Sequence, residues 1–165
     1  MVGNSLSIGY LHGANTAKAA SAVVILSSTD LEYGAVAVGN IASGNNAFIK
    51  IQADDSSGQF VHGGFYTGNN GGGNFFTLSS PVPSPAILDV FFCGTVATMR
   101  ITSAAGVQTY TNDYGATFGA GAGLGTYGSI HLDNFVGSTG GCGHEDVHGI
   151  PASTMRSAVD PTLVK

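Results

Sequence analysis

His144-Glu145-Asp146-Val147-His148 reads as H-E-x-x-H, the spacing with which zinc peptidases hold a metal and polarise a bound water. That chemistry needs a helix, because only then do two histidines four apart share one face. Here Gly137-Ser138-Thr139-Gly140-Gly141-Cys142-Gly143 leads in, Gly149 follows and Pro151 closes the segment. Glycine disfavours a helix and proline stops it, which leaves room for about one turn. A polar turn is the expectation, with Cys142, His144 and His148 as weak candidates for incidental metal binding. No cofactor is assigned. Nucleophilic catalysis has no G-x-S-x-G elbow to work from. Carboxylates are equally unpromising: Glu32 and Glu145 are the two glutamates, Asp54-Asp55 sits in a turn, and Asp113 in a loop. No catalytic residue is named, and the chain is read as not an enzyme.

Sugar recognition needs aromatic platforms beside Asn, Asp and backbone groups at loop tips. Two stretches supply that mixture. One is Phe65 and Tyr66 beside Asn69, Asn70 and Asn74; the other is Tyr110, Asn112, Asp113 and Tyr114. The competing reading packs the aromatics at the sandwich edge and uses the asparagines for turn geometry. Asp113 and Asp133 are also conceivable calcium ligands, although a hard cation needs several convergent oxygens.

The elements that must position these residues follow from composition. The chain has 165 residues, room for one domain, and 43% are hydrophobic, enough for a sizeable core. Charged residues are 9%, and a net charge of −5 offers nothing to neutralise a run of phosphates, which excludes nucleic acid as a partner. Two Glu and three Lys are too few to clothe the exposed faces of a helical bundle. The uncharged stretch 63–88 is broken by Asn, Gly and proline, so no membrane span is expected. Cys93 and Cys142 are expected as two separate thiols rather than a bridge.

Short β-type runs alternate with Gly, Asn, Ser and Pro. Strands are expected at Leu6–Leu11, Ala22–Leu26, Ala35–Ile41, Ala47–Ala53, Phe60–Tyr66, Phe75–Leu78, Ile87–Cys93, Thr98–Ser103, Val107–Thr111, Gly123–Tyr127 and Ser129–Phe135. The run Ile87-Leu88-Asp89-Val90-Phe91-Phe92 is apolar on both faces except at Asp89, as in a central strand. Ala14–Ala22 has the propensity for one short helix, and Pro81, Pro83 and Pro85 suggest an extended connector. The fold class is all-β: a single-domain antiparallel β-sandwich, or jelly roll.

From Ala35 onward, the order of features resembles the concanavalin A-like (laminin G/glucanase-type) jelly roll. The resemblance is carried by the paired strands Ala47–Ala53 and Phe60–Tyr66, the strand Ile87–Cys93 and the hairpin Thr98–Thr111. It ends in a run of the type G-x-G-L-x-T-Y-G-S-x-x-x-D-N-F at Gly121–Phe135. The resemblance implies either sugar binding or glucanase activity, but the E-x-D-x-x-E strand of its glucanases has no counterpart here.

Three regions are expected: an N-terminal strand or arm and linker over 1–34, a jelly-roll core over 35–137, and an extended tail over 138–165. The Gly/Ser/Thr/Asn-rich, charge-poor composition suits an extracellular or particle-surface protein, yet Met1-Val2-Gly3-Asn4-Ser5 opens no signal peptide. These features together suggest a non-catalytic structural protein on the exterior of a virus particle, a phage capsid decoration or appendage protein. The alternative is a glycan-binding, lectin-like module of a secreted protein. The expected partners are further copies of itself, through a tail docked on a neighbour, and a capsid or other particle protein, with glycan as the alternative ligand. Localisation is expected at the virion surface or outside the cell.

Overall fold

Period-two alternation of apolar and polar residues puts one face of each strand towards a core, and two such sheets must close on each other. The computed structural model describes residues 7–9, 18–26, 33–41, 46–53, 58–68, 72–127, 130–138 and 142. These form eleven strands: β1 (Ser7–Gly9), β2 (Ala19–Leu26), β3 (Tyr33–Ile41), β4 (Asn46–Ala53), β5 (Gln59–Thr67), β6 (Gly72–Pro83), β7 (Ala86–Cys93), β8 (Val96–Ser103), β9 (Gly106–Asp113), β10 (Phe118–Tyr127) and β11 (Ile130–Ser138). Every pairing is antiparallel. A six-stranded sheet runs β1-β10-β3-β4-β5-β6, and a five-stranded sheet runs β11-β2-β7-β8-β9. The all-β sandwich expected from the sequence is the fold.

The core lies between the sheets. Ile49, Ile51, Phe60, Phe65 and Val82 come from the six-stranded sheet; Val24, Leu88, Val90, Phe92, Met99 and Ile101 face them from the five-stranded one. Gly63 belongs to this interior. A Cβ there would sit 2.7 Å from the Phe76 ring, so its absence lets that ring fold inward against Phe65. Phe118 closes one end, 4.8 Å from the Phe92 ring centroid, with Tyr114 edge-on to it.

Three expectations need correction. Ala19–Ala22 opens β2 and is not helical: its alanines and Ser21 are buried, and backbone pairing to β7 satisfies the groups a helix would have used. Residues 14–17 lie outside the described residues. Pro81 and Pro83 belong to β6 instead of a connector. An edge strand tolerates them because no neighbour requires their missing N–H groups. Third, Cys93 and Cys142 are not separate thiols but form a disulfide, with Cα atoms 4.8 Å apart across a separation of 49 residues.

β6 also departs from ordinary pairing. Val82 and Pro83 oppose Phe60 and Gln59, and Thr77 opposes His62, so Leu78–Pro81 bulges out opposite Val61. The excursion reaches the other sheet. Tyr110 Oη accepts from the Ser79 N–H at 2.7 Å, and Gln108 Nε2 donates to the Ser80 carbonyl at 2.9 Å. The open edges of the two sheets are thus clasped together through side chains of β9.

Candidate functional site

Strand register decides which of the sequence candidates meet. Phe48 pairs with Tyr66, Lys50 with Gly64 and Gln52 with His62; on the other side, Gly73 pairs with Tyr66, Phe75 with Gly64 and Thr77 with His62. Phe65 and Ile49 point into the core, so by alternation all nine of these residues share the outer face of the six-stranded sheet. Tyr66 lies flat on this face. A Cβ on Gly64 would fall 2.5 Å from its Cε2, and one on Gly73 would collide with its Cδ1, so the ring occupies the space that two missing side chains leave. Burial pushes the Tyr66 phenol above the ordinary tyrosine range. Phe75 stands beside it, 51% exposed, its ring centroid 4.7 Å from that of His62.

The result is a shallow aromatic surface, Tyr66–Phe75–His62, bordered by Lys50, Gln52 and Thr77. Its chemistry is that of stacking: ring faces accept the C–H surface of a flat, partly apolar ligand, and bordering polar groups exchange hydrogen bonds with hydroxyls. Outward side chains from residues 62 to 66 span about 13 Å along the strand. No carboxylate lies among these nine positions in a chain of net charge −5.

The remaining candidates are dispersed. Asn74 pairs with Phe65 and so sits on the opposite face of β6 from Tyr66, exposed to solvent. Asn69 and Asn70 lie outside the described residues. Tyr110 packs on Phe76 at 4.8 Å, and its hydroxyl donates to Gln108 Oε1 at 2.6 Å, within the clasp. Asn112 lies on the Tyr110 side of β9, half-buried. Asp113 Oδ1 accepts the Gly115 N–H at 2.8 Å, and this bond, followed by one to Thr95, holds its carboxyl below the usual range. Such an i→i+2 bond fixes a turn. Tyr114 is part of the core edge; burial raises its phenol strongly, and its hydroxyl donates to the Phe48 carbonyl at 3.5 Å. Cys142 is half of a disulfide, so its sulfur is not available as a thiolate ligand. His144 and His148 lie outside the described residues, and among the described residues no three His, Cys, Asp or Glu side chains gather around a common point.

Sequence reading named Tyr66 but not His62 or Phe75. Phe75 and Phe76 are adjacent, and nothing in their order says which one faces water. Only the register with β5 separates them, sending Phe76 to the core and Phe75 outward.

On the other side of the molecule, a second polar group stands out. Asp89, on β7, accepts the Ser21 hydroxyl at 2.5 Å through Oδ1, and Arg100 Nε and Nη2 at 2.9 and 2.7 Å through Oδ2. Arg100 also lies over the Phe91 ring, 5.3 Å from its centroid. Both carboxylate oxygens are therefore satisfied within the protein, the condition for burying a charge.

No protein-family model matches the chain, and no curated protein matches it. Among solved structures, the chain is similar to Scytalido-glutamic peptidase in complex with a peptide-based transition state analog. The TM-score is 0.45 at 8% identity, over 82% of this chain and 73% of that one. It is also similar to the CBM2 module of the evolved Dit of Lactobacillus casei BL23 phage J-1, with a TM-score of 0.38 at 13% identity, over 80% of this chain and 66% of that one. The expectation that the chain is not an enzyme is corrected by the first of these. At these values the likeness gives no residue here a role. Among the described residues, no helix is long and apolar enough to cross a membrane.

Proposed function

We propose that the protein is a glycan-binding β-sandwich module that works outside the cell, on a virus particle or as a secreted component. The observation that carries this reading is the aromatic surface on the outer face of β5 and β6. There Tyr66 lies flat over Gly64 and Gly73, and Phe75 keeps 51% of its surface in water. An isolated exposed phenylalanine is ordinary, but rings sharing one face with Lys50, Gln52 and Thr77 match the mixture that sugars require. The low charge content supports an uncharged or weakly charged ligand, and the Cys93–Cys142 disulfide suits an oxidising compartment.

A relationship to concanavalin A-like jelly rolls, first suggested by Gly121–Phe135, forms part of this proposal, as does the division into 1–34, 35–137 and 138–165. A capsid-decoration role has no observation of its own here, and glycan recognition takes its place as the first reading. The test is binding of the folded protein to an immobilised panel of glycans, repeated with Phe75→Ala and Tyr66→Ala. A ligand whose retention falls roughly tenfold in Phe75→Ala, equivalent to about 1.4 kcal/mol, supports the site. Equal retention by wild type and Phe75→Ala on every glycan removes it.

A further inference from the structure

β9 lies at a margin of the five-stranded sheet, bonded to β8 along one side. Which of its backbone groups that pairing uses is fixed at both ends. The Tyr114 N–H donates to the Thr95 carbonyl at 2.9 Å, and Ser103 faces Gly106 across the turn Ala104-Ala105. Bonded pairs recur at every second residue of an antiparallel ladder, so Gly106, Gln108, Tyr110 and Asn112 turn their N–H and C=O groups towards β8. Those of Val107, Thr109 and Thr111 point the other way. Among the described residues, none of these outward groups has a hydrogen bond. Their side chains stand on the outer face and are exposed, Val107 by 60%. The clasp to β6 leaves this margin clear, because it is made by the side chains of Gln108 and Tyr110, which face inward.

Sheet margins are ordinarily guarded by a lysine, a proline, a bulge or a covering segment. Residues 106–112 are uncharged and contain no proline, and their register with β8 is unbroken. β6, at the facing margin of the other sheet, carries Pro81, Pro83 and a bulge.

We propose that β9 is a self-association edge, along which two copies of the chain pair β9 to β9, antiparallel, about a two-fold axis at Thr109. A two-fold contact needs a surface that complements itself. Outward groups meet outward groups only when odd-numbered residues oppose odd-numbered ones. Centred on Thr109, Val107 opposes Thr111 of the second copy and Thr109 opposes Thr109, which forms about six backbone hydrogen bonds. The side chains that meet are β-branched and uncharged, a favourable cross-strand set. A shift of the axis to Tyr110 would instead set the Asp113 carboxylate against Val107. An uncharged margin gives no handle by which to select a foreign strand, whereas a second copy brings the same length, the same alternation and no opposed like charges. Contact along one strand buries less than about 1,200 Å², the size of weak, transient interfaces, so a micromolar or weaker dissociation constant is expected. This contact is distinct from the tail docking expected from the sequence, whose residues 143–165 lie outside the described residues. It also leaves the aromatic surface of the other sheet uninvolved, and so stands independently of the glycan reading.

The experiment is sedimentation equilibrium of the full oxidised chain over a wide concentration range, with backbone hydrogen exchange read at both ends of that range. Expected is a monomer–dimer equilibrium. The amides of Val107, Thr109 and Thr111 should exchange about tenfold more slowly in the concentrated sample, while those of Gln108 and Tyr110 are protected in both. Thr109→Lys, which opposes two ammonium groups at the axis, should raise the dissociation constant about tenfold or more. Thr109→Pro removes an N–H that β8 does not use and should act in the same direction. The wild-type exchange profile decides the matter even where a variant fails to fold. A monomer at every concentration overturns the proposal, as does association that Thr109→Lys leaves unchanged or that continues beyond the dimer. So does protection of the Thr109 and Thr111 amides already present in the dilute sample.

Discussion

The outer face of the six-stranded sheet carries rings laid over glycines and stays open at Phe75, whereas on that of the five-stranded sheet Val23, Ile87, Phe91 and Asp89 are buried and Val107 at the β9 margin is 60% exposed. Both are apolar enough to be buried, so hydrophobicity alone does not separate them. The difference lies in what each ring or chain rests on. Tyr66 makes its packing contacts downward, in the hollow left by Gly64 and Gly73, and needs no cover to be held. Asp89 can be sealed from water only because Ser21 and Arg100 satisfy both of its oxygens. One face leaves a ring standing in water, and the other buries a charge among apolar neighbours.

Substitutions that test this contrast should differ widely in effect. Cys142→Ser removes the link across 49 residues; by chain entropy its loss costs about 4 kcal/mol, read as a lower denaturation midpoint in non-reducing urea titrations. A midpoint equal to that of the wild type would mean that the link does not restrict the unfolded chain. Arg100→Ala leaves Asp89 buried with only the Ser21 hydroxyl, and about 3 kcal/mol should be lost by the same measurement. A loss below about 1 kcal/mol would show that water reaches Asp89 and that the face is less sealed than its exposure implies. Phe75→Ala, on the open face, should change stability by no more than about 0.5 kcal/mol while weakening glycan retention. Destabilisation as large as that of Arg100→Ala would make Phe75 a packing residue and erase the contrast.

Much of the fold was legible because strands announce themselves through alternation and turns through Gly, Asn and Asp. Each of the eleven expected runs overlaps an observed strand, and Asp89 marks β7 as central by being the lone polar residue in an apolar stretch. What alternation does not carry is register. Tyr66 and Asn74 look like neighbours in a glycan site until pairing puts them on opposite faces, while His62 and Phe75, thirteen positions apart, become ring partners. Prolines misled for a related reason: Pro81 and Pro83 forbid a central strand but not an edge one, and edge position is a property of the whole sheet. The disulfide was hidden because its two sulfurs meet only after β7, β10 and β11 have all been placed.

The bulged end of β6 has a consequence for how molecules of this protein behave when crowded. A sheet margin invites a foreign strand when it presents a row of free amide donors. Here the donors of Ser79 and Ser80 are given to Tyr110 and Gln108, and the Ser80 carbonyl is taken by Gln108 in return. Pro81 and Pro83 have no donor to give, and Val82 is already matched to Phe60. Residues 79–83 therefore offer an incoming strand almost nothing to zip against. In a glycine-rich chain with few charges to keep copies apart, this stretch resists fibre-like stacking by having its amides already engaged.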